Sequence, residues 1–292
     1  MTDPSHLLHD LEAAITEDVT RALSEDVRGG DLTASLVPEK TRGHARVISR
    51  EAGVVAGCEW FERCFTELDP DVDIFWHHKD GDRVIAGSQL CEISGSARAM
   101  LTAERSGLNF LQLLSAVATK TRTFVDLVRG TSARILDTRK TLPGLRLAQK
   151  YAVRVGGGHN HRIGLYDGIL IKENHIAAAG GIAPALKAAF ALVQHQAPRE
   201  TLIEVEVESL DQLREALQCG AKLILLDNMD NATMTEAVTL SRSHSGVELE
   251  ASGGVNLKTV RAIAETGVHR ISVGSLTKDI DAMDLSMRFS MH

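Results

Sequence analysis

Cysteine is sparse in this chain, aromatic residues make up only 4% of it, and positive charge is in the minority. Each shortage excludes something. The four cysteines, Cys58, Cys64, Cys91 and Cys219, form no CxxC pair and have no histidine at metal-ligand spacing. They read as reduced, packed thiols, which excludes a disulfide framework and a structural zinc. Thirty-two Lys and Arg against 39 Asp and Glu leave a net charge of -7, so the basic surface on which nucleic-acid affinity depends is missing. No apolar run reaches the roughly 18 residues that a membrane span needs. The opening "MTDPSHLLHDLEAAITEDVT" lacks the basic start and apolar core of a secretory signal. These absences predict a cytoplasmic protein that binds neither membrane nor nucleic acid. No GxGxxG follows a first strand, and the glycine-rich "VGGGHNH" precedes a strand instead of opening a helix, so the dinucleotide fingerprint fails.

What is present is a globular composition, 43% hydrophobic and 24% charged over 292 residues, enough for two domains. In the first part, "HLLHDLEAAITEDV" has amphipathic helical spacing, and "HARVISREAGVVAG" and "DVDIFWHHKDGDRVIAGSQLCEISG" read as short strands broken by glycine turns. From Ala97 to Arg129 apolar residues recur at three and four, which predicts one or two long helices closing at Gly130. Beyond it, "ARILDT", "DGILIK", "TLIEVEV", "AKLILLDN", "GVELEAS" and "HRISVG" are short β-rich runs, with amphipathic stretches such as "SLDQLREALQCG" between the later ones. This cadence indicates a parallel sheet closed into a barrel. The predicted fold class is α/β: an N-terminal α+β sandwich-like domain over 1–115, to which the tail from about 279 to 292 returns, and a C-terminal (β/α) barrel over 116–278.

In such barrels chemistry collects at the carboxyl ends of the strands. Here those ends carry Arg139 and Lys140, then Lys172, Asn174 and His175, then Glu204 and Glu206, then Asp227 and Asn228. The last two carry Ser252, Gly253 and Gly254, and Gly274 and Ser275. Glycine lets backbone N–H groups approach an anion, and a helix opening there adds its positive end, so the last two loops read as a phosphate cradle. Strand alternation puts Glu204 and Glu206 on one face, where a metal ion or sugar hydroxyls would partner them. Arg146, Lys150 and Arg154 fall at helix spacing and read mainly as a solvated face. Arg139, Lys140, Arg162 and Lys172 sit on strand ends or in "GGGHNHRIG", where unpaired cations wait for a ligand with more than one negative group. His159 and His161 have no carboxylate in their own loop to complete a metal site, so they read as hydrogen-bonding groups for ligand or loop backbone.

The stretch "DTRKTLPGLRLAQKYAVRVGGGHNHRIGLYDGILIKENHI", with "AERSGLNFLQLLSAVAT", "EVEVESL", "LILLDN" and "EASGGV", closely resembles the quinolinate phosphoribosyltransferase family over nearly the whole chain. Glu173 follows Lys172 where the family usually has aspartate. The resemblance implies condensation of quinolinate with phosphoribosyl pyrophosphate (PRPP), with loss of carbon dioxide and pyrophosphate, giving nicotinate mononucleotide for NAD synthesis. It implies that Arg139, His161, Arg162 and Lys172 hold the quinolinate carboxylates, with Thr138 beside them. It implies that Arg105 reaches a neighbouring subunit's site in a homodimer or a multiple of dimers. It assigns Lys140 to both substrates and the pyrophosphate, and Glu206 and Asp227 to the ribose hydroxyls and Mg2+. Ser252, Gly253, Gly254, Gly274 and Ser275 become the 5-phosphate cradle. Two other readings remain open on the residues: a related phosphoribosyltransferase acting on the mono-acid nicotinate, and a non-catalytic phosphosugar sensor.

Overall fold

The structure is a computed structural model that describes residues 4–195 and 201–291. The chain forms two compact units. One holds the chain up to Arg122, Thr141–Gly157 and everything from Leu276 on; the other holds Thr123–Lys140 and Gly158–Ser275.

The first unit starts with α1 (Pro4–Val27). Its Ile15, Val19 and Leu23 recur every fourth residue and are buried, which is why the amphipathic spacing becomes a docked helix. The strands β1 (Arg42–Ser49), β3 (Asp73–Trp76) and β5 (Gln89–Ser96) join an antiparallel sheet, while β2 (Gly53–Val54) and β4 (Arg83–Val84) pair separately. Between them α2 (Cys58–Thr66) buries Trp60, Phe61 and Phe65, gathering three of the chain's few large aromatics in one place. The helix α3 (Ala97–Leu127) is a single element of 31 residues. The last strand, β12 (Leu285–Met291), pairs antiparallel with β1, giving the sheet order β12-β1-β5-β3.

The second unit carries the parallel strands β6 (Arg134–Leu136), β7 (Gly168–Ile171), β8 (Leu202–Val207), β9 (Leu223–Asp227), β10 (Glu248–Ser252) and β11 (Arg270–Ser272). All six match runs read from sequence. Their order is β6-β11-β10-β9-β8-β7. The strands β9 and β10 are buried almost end to end, as a sheet covered on both faces requires. Helices α5 (Glu173–Ala179) and α6 (Ile182–His195) follow β7. The helices α7 (Leu210–Gln218), α8 (Asn231–Ser241), α9 (Val260–Glu265) and α10 (Ser275–Lys278) follow β8 to β11 in turn. No single helix among the described residues is long and apolar enough to cross a membrane.

Four placements add detail to the sequence reading. Residue 115 lies within α3, one uninterrupted helix of 31 residues. Residues 141–157, with α4 (Arg146–Val155), belong to the first unit and not to the barrel. Lys150 on α4 is only 2% exposed, so that helix does not present all its cations to solvent. The six-stranded parallel sheet is barrel-like, as expected; among the described residues β6 and β7 are the two ends of its strand order, and His159 forms a parallel bridge with Leu136 of β6. The glycine-rich chain occupies the place where a closing strand would lie.

Candidate active site

The opening beside β6 is organised by one buried acid. Asp137 is fully buried directly after β6; its N–H donates to His159 O at 3.1 Å, while His159 N–H donates to Ile135 O at 2.8 Å. Its carboxylate accepts the His161 N–H at 2.9 Å on Oδ1 and Asn160 Nδ2 at 2.6 Å on Oδ2. Asp167 does the same for the next turn, accepting the N–H groups of Ile163 at 2.7 Å and Gly164 at 2.8 Å. A loop without regular structure thus has its backbone donors satisfied by two carboxylates. Both acids were missed in the sequence. Asp137 stands inside the quoted "DTRK" stretch, where attention went to the cations.

This loop carries Arg162, whose Nη1 donates to Gly168 O at 2.9 Å. Burial, and next the charge of Arg139, push the Arg162 pKa down, against Asp167 and Glu204. Two guanidinium groups that repel each other in a partly desolvated place form a site for an anion, which would relieve both penalties. Thr138 serves the same strand end by accepting the Lys140 N–H on Oγ1 at 3.0 Å.

The expectation that the cations stand unpaired fails for Lys172. Its Nζ donates to Glu206 Oε2 at 2.6 Å. Burial raises the Glu206 pKa, Lys172 opposes the rise, and the Asp227 charge adds to it. Both acids offer hard oxygen donors, and the repulsion between them is what a divalent cation would relieve. Glu206 and Asp227 therefore fit Mg2+, with one Glu206 oxygen already committed to Lys172.

His161 lies between the loop and two buried acids. Its Nδ1 accepts the Arg162 backbone N–H at 2.8 Å, which requires a lone pair there and places the ring proton on Nε2. The Nε2 side faces Glu204 Oε2 at 2.7 Å and Glu250 Oε1 at 3.7 Å. Burial opposes protonation of the ring, but the two acids outweigh it and its pKa is raised. Both ring nitrogens of His161 thus have partners within the protein. His161, Glu204 and Glu250 also bring ligand-type atoms within 4.8 Å of one another, using carboxylates from β8 and β10 and not from the loop. Arg270 Nε donates to Glu250 Oε2 at 2.8 Å, however, so the cluster has an internal cation. Glu250 and Arg270 were missed, although acids alternating in "ELEAS" carry the signal that singled out Glu204 and Glu206.

The other side of the strand ends is glycine-lined. Gly253 has φ +95°, and a Cβ there would overlap Asn228 Oδ1. Asn228 itself is left-handed at φ 53°; its N–H donates to Ser252 O at 3.0 Å and its Nδ2 to Asp227 Oδ2 at 2.8 Å. A Cβ on Gly274 would lie 3.2 Å from Lys140 Cδ and 4.0 Å from Lys140 Nζ. Lys140 therefore lies across the glycine that precedes Ser275, joining the cationic and glycine-lined parts of the site. The helix contribution is smaller than expected: α9 begins six residues after Gly254, and α10 has four residues. Backbone N–H groups in open turns are what this region offers an anion. Arg105 is exposed on α3 in the first unit, on a cleft of about 340 Å³ with Asp18, Arg21 and Asn109.

Fold and site define a barrel enzyme whose strand ends are arranged for anionic ligands. Residues 31–115 match the N-terminal domain of quinolinate phosphoribosyl transferase and residues 117–288 its C-terminal domain. The chain belongs to the quinolinate phosphoribosyl transferase family. It is 43% identical over 263 residues to a probable nicotinate-nucleotide pyrophosphorylase (carboxylating) of Bacillus subtilis, covering 90% of this chain and 89% of that one. It is 39% identical over 300 residues to quinolinate phosphoribosyltransferase (decarboxylating) 2, mitochondrial, of Nicotiana glauca, covering 98% and 84%. The nicotinate-nucleotide pyrophosphorylase structure of Francisella tularensis aligns with a TM-score of 0.90 at 43% identity, covering 95% of this chain and 96% of that one.

Proposed function

We propose that this protein transfers the phosphoribosyl group of PRPP to the ring nitrogen of quinolinate and releases carbon dioxide, giving nicotinate mononucleotide and pyrophosphate. The observation that carries the reading is the Arg162 guanidinium, whose pKa is pushed down by burial and next by the charge of Arg139, beside a lysine laid over the Gly274 turn. A pyridine dicarboxylate matches the two forks, and a phosphorylated sugar matches the glycine-lined turns.

The chain's own contribution is mainly positioning. Arg139 and Arg162 hold the carboxylates and cancel their repulsion toward the phosphates. Lys172, already bonded to Glu206, sits between the two ligands. As the C1–O bond of the ribose breaks, the electron pair leaves with pyrophosphate and positive charge develops on the sugar ring. Lys140 stabilises the departing oxygens, and the carboxylates of Glu206 and Asp227 favour the cationic ring. The pyridine nitrogen then donates its pair to C1 and becomes a pyridinium. That positive nitrogen stabilises the electron pair that stays on the adjacent carbon when its carboxylate departs as carbon dioxide, and a proton from solvent then bonds to that carbon to complete the product. Glu206 and Asp227 would hold Mg2+, which when bound would supply positive charge to neutralise the pyrophosphate oxygens. Arg105 serves the partner's site in a homodimer, and the protein works in the cytoplasm.

The test is carbon dioxide release by purified protein with Mg2+, quinolinate and PRPP. Release must require both substrates. Turnover with nicotinate in place of quinolinate, or binding of PRPP with no turnover at all, would overturn the reading.

A further inference from the structure

Four ionisable side chains form a buried chain behind the pocket: Arg270, Glu250, His161 and Glu204. Glu204 is 2% exposed, Glu250 fully buried and Arg270 9% exposed, so none of the three meets a substrate. They sit on β8, β10 and β11, in register with their neighbours: Glu204 opposite Leu170 and Leu223, Glu250 opposite Leu225 and Arg270. Strand-borne groups of this kind are held by two ladders at once, so their positions are rigid. His161 belongs to the irregular loop, and it links the strand-borne acids to the backbone of Arg162.

We propose that this chain is the device that positions Arg162, and that Glu204 and Glu250 are positioning residues for recognition of a substrate carboxylate. The inference rests on the reading that Arg162 takes a carboxylate of quinolinate. The connection is short: Glu204 Oε2 accepts from His161 Nε2 at 2.7 Å, and His161 Nδ1 accepts the Arg162 N–H at 2.8 Å. The backbone origin of the Arg162 side chain is therefore tied to a barrel strand through one imidazole ring. Arg139 repels Arg162, so the loop needs a directional restraint, which apolar packing does not supply. Asp137 fixes the same loop from the other side through the His161 N–H. Two carboxylate oxygens, Glu204 Oε1 and Glu250 Oε1, accept no hydrogen bond in the interior. Buried acids are retained there at a cost, which points to a task beyond packing.

The arrangement also separates two roles on one strand. Glu204 faces His161, whereas Glu206, two residues on, faces Lys172. Removing the first acid disturbs the carboxylate end of the site and leaves the sugar end in place.

The experiment compares wild type with Glu204→Leu, which removes the acceptor, and Glu204→Gln, which keeps an amide oxygen for Nε2–H. Steady-state KM for quinolinate and for PRPP is measured with Mg2+, together with hydrogen exchange of the peptide covering 158–168. Glu204→Leu is expected to raise the quinolinate KM about tenfold or more and the PRPP KM less than about twofold, since misplacing a binding group by an ångström is costly. Exchange of the loop amides is expected to accelerate, and Glu204→Gln to restore much of both. An equal rise in both KM values, or loop exchange identical to wild type in a folded variant, overturns the proposal. Should the Leu variant not fold, the Gln variant combined with His161→Asn gives the same two readouts. If wild type fails to use quinolinate, the proposed function falls, while the exchange measurement still decides whether Glu204 holds the loop.

Discussion

Lys172 Nζ donates to Glu206 Oε2 at 2.6 Å, so a cation assigned by resemblance to one substrate is bonded to an acid assigned to the other. The two binding sites therefore share a part. Removing the ammonium exposes Glu206 to uncompensated repulsion from Asp227 and removes a charge from the quinolinate side. Lys172→Ala is expected to raise the KM for quinolinate and for PRPP, each by about tenfold, the size of a lost charge-assisted hydrogen bond. Initial-rate measurements with each substrate varied in turn check this. A variant in which only one KM moves contradicts the coupling.

Burial and the charge of Arg139 both disfavour the charged form of Arg162, and a bound dianion relieves that repulsion. Quinolinate is expected to raise the melting temperature of the wild-type protein by mass action. Arg139→Lys and Arg162→Lys keep the charge but lose the planar fork, and each is expected to weaken quinolinate binding by about 10- to 100-fold. Thermal-shift titration reads the effect without any turnover.

Gly253 combines φ +95° with a position where a methyl group meets Asn228 Oδ1. Gly253→Ala is expected to cost roughly 1–3 kcal/mol of stability through backbone strain and displacement of Asn228. Because Asn228 donates to Asp227, the PRPP KM is expected to rise as well. Gly254 has φ +62° but open space around it, so Gly254→Ala is expected to cost less. Chemical denaturation of the two variants side by side provides the comparison.

Burial, together with the Glu204 charge, raises the Glu250 carboxyl to about 7, opposed by His161, Arg270 and a hydrogen bond from Ser272. Below the ordinary carboxylate range both folded and unfolded chains hold this proton. Between that range and about pH 7 only the folded chain holds it, so this group's contribution to stability is lost as pH rises. The loss amounts to at most about 3 kcal/mol. Melting temperatures from pH 4 to 8 are expected to show a falling component that Glu250→Gln lacks. An identical slope in both proteins would sink the assignment.

Periodicity and turn chemistry are local, and what depends on them was legible in the sequence. The helical spacing from Ala97 became α3, and the six β-rich runs became the six barrel strands. Residue types at strand ends also placed Arg139, Lys140, Lys172, Glu206 and Asp227 on the carboxyl ends of parallel strands. What joins residues far apart in the chain was decided by tertiary structure. The open edge between β6 and β7 depends on which strand ends the order, and His159 bridges to β6 there although its own stretch reads only as a glycine-rich loop. The pairing of Lys172 with Glu206, and of His161 with Glu204 and Glu250, depends on the mutual register of β7, β8 and β10, which no single stretch encodes. Sequence alone determined which charges this protein has at its strand ends. Only the packed barrel decided which of them neutralise one another, because a buried charge takes the nearest partner that the fold brings to it.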